Sequence, residues 1–337
     1  MRAAVLKAPR HLAVETVADP EPAPDEVVVQ VAACGVCGTD RAIYRDEYPV
    51  RHPLVMGHEY AGTVVSLGAQ AHGFAIGDRI VIDPNVVDDV CYFCRHGVDH
   101  LCSGLSPLGV ARPGGFAELS AVPERYAYAL PPSLSLEAGS QVEPIACCVH
   151  GIDRAQIAPG DIVLISGSGP IGCILIQLTR LQGAARIVAV DPNPARQALA
   201  EAAGADIVCA PDGAASALAA LRPGAGADVV IEASGSPAAA EAAFEFVRRG
   251  GTVLLFAVYP EAARLSVSPF RINEDELRIV GSLNNPHTHQ RAIDLLESGR
   301  LDVSALITDM LSLDELERAM DITNFPQAGK IVIQPFA

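Results

Sequence analysis

The sequence predicts an α/β protein with two domains, a partly open β-barrel followed by a doubly wound parallel sheet. Three observations predict this fold class. Residues 1–150 contain short β-type runs divided by Pro, Gly and Asp. From 151 to 285, apolar strands alternate with helical segments, and a glycine-rich turn follows the first of these strands. The remaining segment, about 286–337, ends in an apolar run that we expect to complete the first domain.

Length and charge limit the function classes. A chain of 337 residues is long enough for two sizeable cores, and 50% hydrophobic content is typical of α/β proteins. The net charge of −16 argues against nucleic acid or an anionic membrane surface as a partner. Lys7, Arg10 and His11 interrupt the first apolar run before it reaches signal-peptide length, and three glycines and a proline break the apolar stretch 162–179. We therefore expect a cytoplasmic protein without a membrane span.

The predicted strands follow from short apolar and β-branched runs. Those of the first domain are 3–6, 12–17, 27–32, 60–67, 79–82 and 116–122, with a late return at 330–334. Those of the second domain are 162–166, 186–190, 206–209, 228–232, 252–257 and 278–283. The predicted helices are 194–203 closed by Gly204, 238–249 closed by Gly250, 214–220, 289–298, and one that begins at Ser312 with Glu315 in a capping box.

The glycine-rich turn reads Gly167-Ser168-Gly169-Pro170-Ile171-Gly172 and lies between a predicted strand and a predicted helix. Gly167 allows a sharp turn, Gly169 allows close approach of a pyrophosphate, and Gly172 allows close packing of helix on strand. Pro170 suits the first helical position, where its missing N–H has no helical partner. A purely structural turn is the alternative, but the complete strand, turn, helix and strand order favours dinucleotide binding.

Asp191 ends the second strand of this unit. A carboxylate there can accept hydrogen bonds from the adenosine ribose hydroxyls and repels a 2′-phosphate, so the sequence predicts NAD and not NADP. Arg196, in the helix that follows, is a further candidate cofactor contact.

A first metal site is predicted from Cys37 in GVCGTD, His58 and Glu59 in GHEYAG, and Glu143 in VEP. A thiolate, an imidazole and a carboxylate suit Zn²⁺, and a catalytic zinc needs three protein ligands with one open position. The competing interpretation is ordinary structure, since a lone Cys is usually a core residue and a His-Glu pair is usually solvated. The glycine setting of the first two motifs favours zinc.

A second metal site is predicted from Asp88, Cys91, Cys94 and Cys102, which we interpret as a closed structural zinc site. The alternative is a loop without metal that carries three reduced thiols. Cys34 and Cys37 could instead form a redox pair, or half of a zinc ribbon with Cys91 and Cys94. The four remaining cysteines have no ligand-like spacing and are expected to be small buried hydrophobes: Cys147, Cys148, Cys173 and Cys209.

Together these residues resemble the medium-chain zinc-dependent alcohol and polyol dehydrogenase family over essentially the whole chain. The motifs that carry the resemblance are GVCGTD, GHEYAGTV, GDRIV at 77–81, the cysteine loop, GGFAE at 114–118, VEP at 142–144, GSGPIG and the terminal KIVI. The resemblance implies a GroES-like catalytic domain, a Rossmann domain and a homotetramer. It also implies a catalytic zinc held by Cys37 and His58, with Glu59 or Glu143 exchanging with water, and Thr39 as the first member of a proton relay. Glu143 matches the sorbitol and threonine dehydrogenase branch.

Three positions depart from the family pattern. Ala42 stands where many relatives have a His that continues the proton relay, and Asp88 replaces the first cysteine of the structural site. Asn284-Asn285 aligns with an Arg-Tyr pair that contacts polyol in sorbitol dehydrogenases. The residues taken as candidate substrate contacts are Tyr44, Phe116, Asn284 and Asn285.

These residues predict a zinc-dependent enzyme that oxidises a secondary hydroxyl group of a polyol by hydride transfer to NAD⁺. The same enzyme is expected to reduce the ketone in the reverse direction. Within enzymes, the rival is a zinc-independent reductase of the same architecture. From another class, the rival is a non-catalytic binding protein that kept the fold.

Overall fold

A computed structural model describes residues 1–325 and 329–336. The chain forms two compact units. The first holds residues 1–146, 284–325 and 330–336, and the second holds residues 147–283. Of the predicted completing segment 286–337, residues 326–328 and 337 lie outside the described residues. No helix within the described ranges is both long enough and apolar enough to cross a membrane.

The first unit contains most of the strands, which are numbered along the whole chain. Its strands are β1 (Arg2–Ala8), β2 (His11–Thr16), β3 (Glu26–Gly35), β4 (Leu54–Val55), β5 (Glu59–Leu67), β6 (Arg79–Ile82), β7 (Leu119–Pro123), β8 (Ala127–Ala129), β15 (Ile307–Ser312) and β16 (Lys330–Gln334). Its helices are α1 (Gly38–Tyr44), α2 (Tyr92–Arg95), α3 (Leu136–Gly139), α10 (His289–Glu297) and α11 (Leu316–Ala319), together with the start of α4 (Val142–Ala155).

The strands of the first unit form two sheets. The larger has the order β15-β16-β3-β5-β6-β8, with β7 also paired to β3, and the smaller has the order β2-β1-β4. β16 pairs antiparallel with β3, with Ile333 opposite Cys34, as expected for a final strand that returns to the first domain. Buried β-branched and aromatic residues such as Val29, Tyr60 and Ile80 fill the core between the strands. This arrangement brings the start of β5 and the start of β16 to the same end of β3.

The second unit is a layered α/β structure. Its strands are β9 (Ile162–Ser166), β10 (Arg186–Val190), β11 (Ile207–Cys209), β12 (Ala227–Glu232), β13 (Val247–Leu255) and β14 (Arg278–Gly281), and its helices after α4 are α5 (Pro170–Leu181), α6 (Pro194–Ala202), α7 (Ala214–Leu221), α8 (Pro237–Phe246) and α9 (Pro269–Glu274). All six strands are parallel, in the order β11-β10-β9-β12-β13-β14. This confirms the predicted doubly wound sheet.

The register of this sheet positions the nucleotide turn. Val190 of β10 pairs with Ser166 of β9, so the two strands end side by side. From β9 the sheet continues through β10 to β11 at one edge, and from β12 it continues through β13 to β14 at the other edge. The strand order therefore reverses between the neighbouring strands β9 and β12. Ligands of doubly wound sheets bind at such a point, outside the carboxyl ends of the strands.

One predicted helix ends earlier than expected. The sequence predicts a helix over 238–249 closed by Gly250, but α8 ends at Phe246 and β13 begins at Val247. Buried Val247 pairs with Ala227 of β12, and the register then shifts before Val229 pairs with Thr252. Gly250, at φ +66°, therefore lies where the register of β13 with β12 shifts, and it does not close a helix.

The predicted capping box at Ser312 is confirmed. The Ser312 backbone N–H donates to Glu315 Oε2 at 3.1 Å, and the chain makes a 3₁₀ turn over Leu313–Glu315 before α11 begins. Buried Leu313 and Leu316 anchor this corner to the core of the first unit.

Candidate metal and cofactor sites

Cys37 and His58 are brought together by one buried carboxylate. Cys37 is the N-cap of α1, and its backbone N–H donates to Asp40 Oδ2 at 2.9 Å. The other oxygen of Asp40 accepts the Gly57 backbone N–H at 3.3 Å and lies 3.5 Å from His58 Nδ1. Asp40 is completely buried, so these contacts fix the start of α1 against the segment that enters β5.

The residues Cys37, His58 and Glu59 form a compact group of potential metal ligands. One ligand atom from each lies within 4.8 Å of the others. The Nδ1 atom of His58 faces Asp40 and makes no hydrogen bond within the described structure, which leaves Nε2 for a metal in the carboxylate–histidine arrangement common in metal sites. The donor set therefore fits zinc.

The charges around His58 favour a cation. Burial lowers the pKa of His58, but the negative charges of Asp40 and Cys37 outweigh burial and hold the pKa well above its ordinary value. The same negative potential that favours a protonated imidazole attracts a metal ion to this point.

Glu59 has a counter-charge on the last strand. Its carboxylate forms an ion pair with the ammonium group of Lys330, and both side chains are buried. Gly35 of β3 makes room for the pair, because a side chain at Gly35 would clash with Glu59 and Lys330. Burial lowers the pKa of Lys330, but the charge of Glu59 outweighs it and raises that pKa.

Glu143 is not one of the three residues in this compact group. It lies in the first turn of α4, and its Oε1 accepts a hydrogen bond from Asn285 Nδ2 at 2.9 Å. Thr39 follows Cys37 in the first turn of α1 and is half-buried. The catalytic roles of both residues remain predictions.

The cysteine loop forms a second compact group. Ligand atoms of Asp88, Cys91, Cys94 and Cys102 all lie within 4.8 Å of one another. Cys94 Sγ lies 3.5 Å from Cys91 Sγ and 3.4 Å from Asp88 Oδ1. Backbone N–H donors of Cys91 and Val90 lower the pKa of Asp88 to about 2, so its carboxylate is ionised. Three sulfurs and one carboxylate oxygen fit a closed tetrahedral zinc site.

Cys34 belongs to neither ligand group within the described residues, which argues against the redox-pair and zinc-ribbon alternatives. Its side chain is fully buried in the core of the first unit. Burial raises the pKa of the Cys34 thiol well above its ordinary value, so the thiol stays protonated. Of the cysteines predicted to be buried hydrophobes, Cys148 and Cys173 are buried, whereas Cys147 and Cys209 are half-buried.

The candidate substrate contacts have different surroundings. Phe116 is a correction: it is fully buried in the core of the first unit and has no free surface for a substrate. The Tyr44 hydroxyl donates to Glu317 Oε1 at 3.0 Å, and Asn284 Nδ2 approaches the His100 carbonyl oxygen at 3.5 Å. Asn285 is 1% exposed and its side chain points to Glu143.

The nucleotide turn has the geometry that its glycines predict. Gly167 has φ +95°, and a side chain there would collide with the backbone of Ser234. A side chain at Gly172 would collide with the carbonyl oxygen of Gly167, whereas Gly169 faces open space. Gly169 is the N-cap of α5, with Pro170 at its first position and Ile171 next, half-buried. The open space at a helix N-terminus fits a pyrophosphate.

Asp191 connects this turn to the end of β10. Its Oδ2 accepts the Ser168 backbone N–H at 2.8 Å, and its Oδ1 accepts the Asn193 backbone N–H at 2.9 Å. Each carboxylate oxygen has two lone pairs, so acceptor capacity is left for a ribose hydroxyl. On α6, Arg196 has a buried Nε with no hydrogen-bond partner within the described residues.

Three residues of the site region were not predicted from the sequence: Asp40 and Lys330, which contact the first ligand group, and Asn85, which contacts Asn285. Asp40 and Lys330 lie inside recognised motifs, GVCGTD and KIVI, but were treated there as part of the pattern alone. Asn85 lies in a loop, and no spacing in the sequence relates it to Asn285, to which it donates a hydrogen bond.

Comparison with known proteins shows which families the chain matches. The alcohol dehydrogenase GroES-like domain family matches residues 23–132, and the zinc-binding dehydrogenase family matches residues 170–298. D-arabinitol dehydrogenase 1 of Uromyces fabae is 36% identical, covering 92% of this chain and 90% of that protein. Sorbitol dehydrogenase of Bacillus subtilis is 30% identical, covering 99% and 97%.

A solved structure is similar over the whole chain. The crystal structure of a zinc-binding dehydrogenase from Sinorhizobium meliloti 1021 bound to NADP superposes with a TM-score of 0.93 at 36% identity, covering 99% of each chain. These matches confirm the predicted fold class and the enzyme class, a zinc-binding dehydrogenase with a nicotinamide cofactor. The chain belongs to the medium-chain zinc-dependent alcohol and polyol dehydrogenase family.

Proposed function

We propose that this protein oxidises a secondary hydroxyl group of a polyol with NAD⁺ and reduces the corresponding ketone in the reverse direction. The observation that carries the proposal is the compact group of Cys37, His58 and Glu59, whose donor set fits zinc. Two relatives that act on D-arabinitol and sorbitol support a polyol as the substrate class. In this proposal, residues 1–150 with 286–337 carry the zinc chemistry and residues 151–285 bind the dinucleotide.

Cys37 and His58 would hold the catalytic zinc, with Glu59 or Glu143 exchanging with water. Zinc, when bound, supplies a Lewis acid that makes the substrate hydroxyl more acidic. Asp40 Oδ1, 3.5 Å from His58 Nδ1, would orient the imidazole and leave Nε2 for the metal. Lys330 balances the charge of Glu59 and so holds that carboxylate in a buried environment.

Thr39 would take the hydroxyl proton of the substrate. It lies two positions after Cys37 in the first turn of α1, and its hydroxyl can both accept and donate a proton. Ala42, on the same helix, has no side chain that titrates, so the proton must leave Thr39 through water or another group.

The choice of NAD rests on Asp191. Two backbone N–H groups fix its carboxylate at the end of β10, where the adenosine ribose binds in doubly wound sheets. A fixed negative charge there repels a 2′-phosphate. The NADP in the Sinorhizobium meliloti relative makes NADP the alternative, and the unpaired Nε of Arg196 is the group in this chain that favours it. Gly167, Gly169, Pro170, Ile171 and Gly172 would form the pyrophosphate turn.

Three further features belong to the proposal. Asp88, Cys91, Cys94 and Cys102 would hold a structural zinc that contributes to folding and not to chemistry. The resemblance to the family supports a homotetramer, which light scattering on the purified protein can test. A cytoplasmic location is also part of the proposal, and fractionation of the native cells can test it.

One experiment tests the function. Protein purified without chelator is analysed for zinc, and a panel of sugar alcohols is screened with NAD⁺ and with NADP⁺ by following absorbance of the reduced nicotinamide. We expect about two zinc ions per chain, from the two compact ligand groups, and turnover of a polyol with NAD⁺. Polyol turnover without zinc would indicate a zinc-independent reductase, and zinc without turnover of any alcohol would indicate a binding protein.

A further inference from the structure

A continuous chain of hydrogen bonds ends on Glu143. Asn85 Nδ2 donates to Asp83 Oδ1 at 2.9 Å and to Asn285 Oδ1 at 2.7 Å. Asn285 Nδ2 then donates to Glu143 Oε1 at 2.9 Å. Four side chains from three segments of the first unit, the loop after β6, the start of α4 and the loop before α10, are therefore connected in one line.

The chemistry of its two ends fixes the direction of this chain. The carboxylate oxygens of Asp83 and Glu143 act as acceptors, so Asp83 faces the amide nitrogen of Asn85, and Glu143 faces the amide nitrogen of Asn285. Asn285 must then present its oxygen to Asn85, whose remaining N–H is free to donate. Both carboxamides therefore have one orientation that satisfies these three hydrogen bonds.

The backbone beneath Asn285 is also fixed. The Thr288 hydroxyl donates to the Asn285 carbonyl oxygen at 3.0 Å and approaches the Ala146 carbonyl oxygen of α4 at 2.8 Å. Asn285 is 1% exposed and Thr288 is 3% exposed. Asn285, which donates to Glu143, therefore has hydrogen bonds at both its side chain and its main chain. The contact of Thr288 with Ala146 also attaches this segment to α4, the helix that carries Glu143.

We propose that Asn285 is a positioning residue for Glu143, oriented in turn by Asn85 and Asp83, and that it is not a substrate contact. The inference rests on the proposed function, because it gives Glu143 a role at the catalytic zinc. A charge-assisted hydrogen bond restricts the rotamers of the carboxylate and sets which oxygen faces away from Asn285. Partners of this kind commonly change metal affinity or activity about 10- to 100-fold when they are removed.

The competing role is direct contact with the substrate. Asn285 lines a polar pocket together with Tyr128 and His287, so a ligand in that pocket would lie near it. The two roles differ in one measurable respect. A positioning residue acts only through Glu143, whereas a substrate contact acts whether or not residue 143 is a carboxylate.

A double-mutant cycle separates the roles. The variants are Asn285→Leu, Glu143→Ala and the double variant, with Asn85→Leu as a second probe of the chain. The measurements are kcat and KM for the best polyol of the screen and the zinc affinity by chelator competition. Gln334→Leu is the matched control, because Gln334 Nε2 also donates to a carboxylate, Glu137 Oε1 at 3.3 Å, and Gln334 has no place in the proposed site.

We expect Asn285→Leu to lower kcat or zinc affinity about 10- to 100-fold with KM changed less than about threefold. In the Glu143→Ala background, which has no acceptor for the Asn285 amide, it should have no further effect, and Asn85→Leu should have a smaller effect that disappears once residue 285 is Leu. An increase in KM of the same size in both backgrounds would overturn the inference. Wild-type kcat and zinc affinity in Asn285→Leu would overturn it as well.

A second variant keeps the test valid if Leu at position 285 prevents folding. Asn285→Asp has the same shape but places a carboxylate against Glu143, and we expect it to lower the melting temperature. Combining it with Glu143→Gln reverses donor and acceptor, so the hydrogen bond forms again and the melting temperature should recover. A failure to recover would contradict the pairing of the two side chains. Wild-type protein that lacks catalytic zinc would instead overturn the proposed function, before any variant is compared.

Discussion

Lys330 forms a buried ion pair with Glu59, and this pair attaches the last strand of the chain to the candidate catalytic site. Glu59 begins β5 and Lys330 begins β16, and both strands flank β3. The candidate zinc ligand Glu59 therefore takes its counter-charge from a residue near the end of the chain.

Lys330→Met leaves the Glu59 carboxylate buried without its counter-charge. We expect the free energy of unfolding of the zinc-stripped protein to fall by about 3–5 kcal/mol, the usual cost of breaking a buried ion pair from one side. Lys330→Met combined with Glu59→Leu should regain most of that loss, because no charge is then stranded. Chemical denaturation measures both variants. A single variant as stable as the wild type would show that Glu59 does not depend on Lys330.

Asp228 gives the second unit an acid-sensitive contact. Burial raises the pKa of Asp228, but hydrogen bonds from Arg222, the Ile162 backbone and Arg248 outweigh it, so the pKa lies below the ordinary 3.8. Because the pKa is lower in the folded state, the ionised carboxylate of Asp228 stabilises the folded protein to its full extent above pH 3.8. This stabilisation is lost as the pH falls through the folded-state pKa of Asp228.

Asp228→Asn should therefore lower the free energy of unfolding near pH 6 by about 1.5–3 kcal/mol, the range for a hydrogen bond to a charged group. The difference from the wild type should shrink below pH 3.8. Urea denaturation at pH 6 and pH 3 measures it. A difference that is equal at both pH values would mean that the charge of Asp228 contributes nothing.

Asp191→Ala should relax the discrimination against NADP⁺ and weaken the use of NAD⁺, because it removes both the charge that repels a 2′-phosphate and an acceptor for the ribose. It also removes the acceptor of the Ser168 backbone N–H, so some of the lost affinity will come from the turn itself. The ratio of kcat/KM for the two cofactors is the measurement. A wild-type enzyme that prefers NADP⁺ would contradict the assignment.

Cys94→Ser should remove one zinc ion per chain and lower the melting temperature, while the catalytic zinc remains. The reason is that a closed Asp-Cys₃ site contributes its binding free energy to folding. Metal analysis and thermal melting in the presence of a reductant measure the two effects, with Cys209→Ser, which lies outside both ligand groups, as the control. Unchanged metal content and melting temperature would show that the loop holds no metal.

Cys37→Ala should abolish alcohol oxidation and the catalytic zinc, yet leave NADH binding intact. Cys37 lies in the first unit, whereas the glycine turn and Asp191 lie in the second. The effect should appear mainly in kcat, because stabilisation of developing charge is greatest in the transition state. Zinc analysis, fluorescence titration with NADH and steady-state kinetics make the test. Near-normal turnover would be incompatible with zinc chemistry at this site.

Glu143→Ala decides between two roles for that residue. If Glu143 only moves the metal between water and substrate, turnover should fall while zinc is retained. If it is a permanent ligand, zinc and activity should be lost together. The same two measurements, zinc content and kcat, distinguish these outcomes.

The sequence alone determined the features that depend on local pattern. Alternating strands and helices predicted the doubly wound sheet, and the glycines predicted the turn geometry, because positive φ at Gly167 and close approach at Gly172 are local requirements that few other residues meet. The spacing within Asp88–Cys102 predicted a compact ligand group, because a short loop can close on itself without help from the rest of the chain.

Only the tertiary structure decided the contacts between distant segments. Phe116 proved to be core and Asn285 proved to point at Glu143, because burial and orientation depend on which elements pack around a residue. Lys330 reached Glu59 through strand pairing, and Asn85 reached Asn285 through the meeting of two loops. Val247 joined a strand although its neighbours favour a helix, because a buried partner on β12 outweighed local propensity.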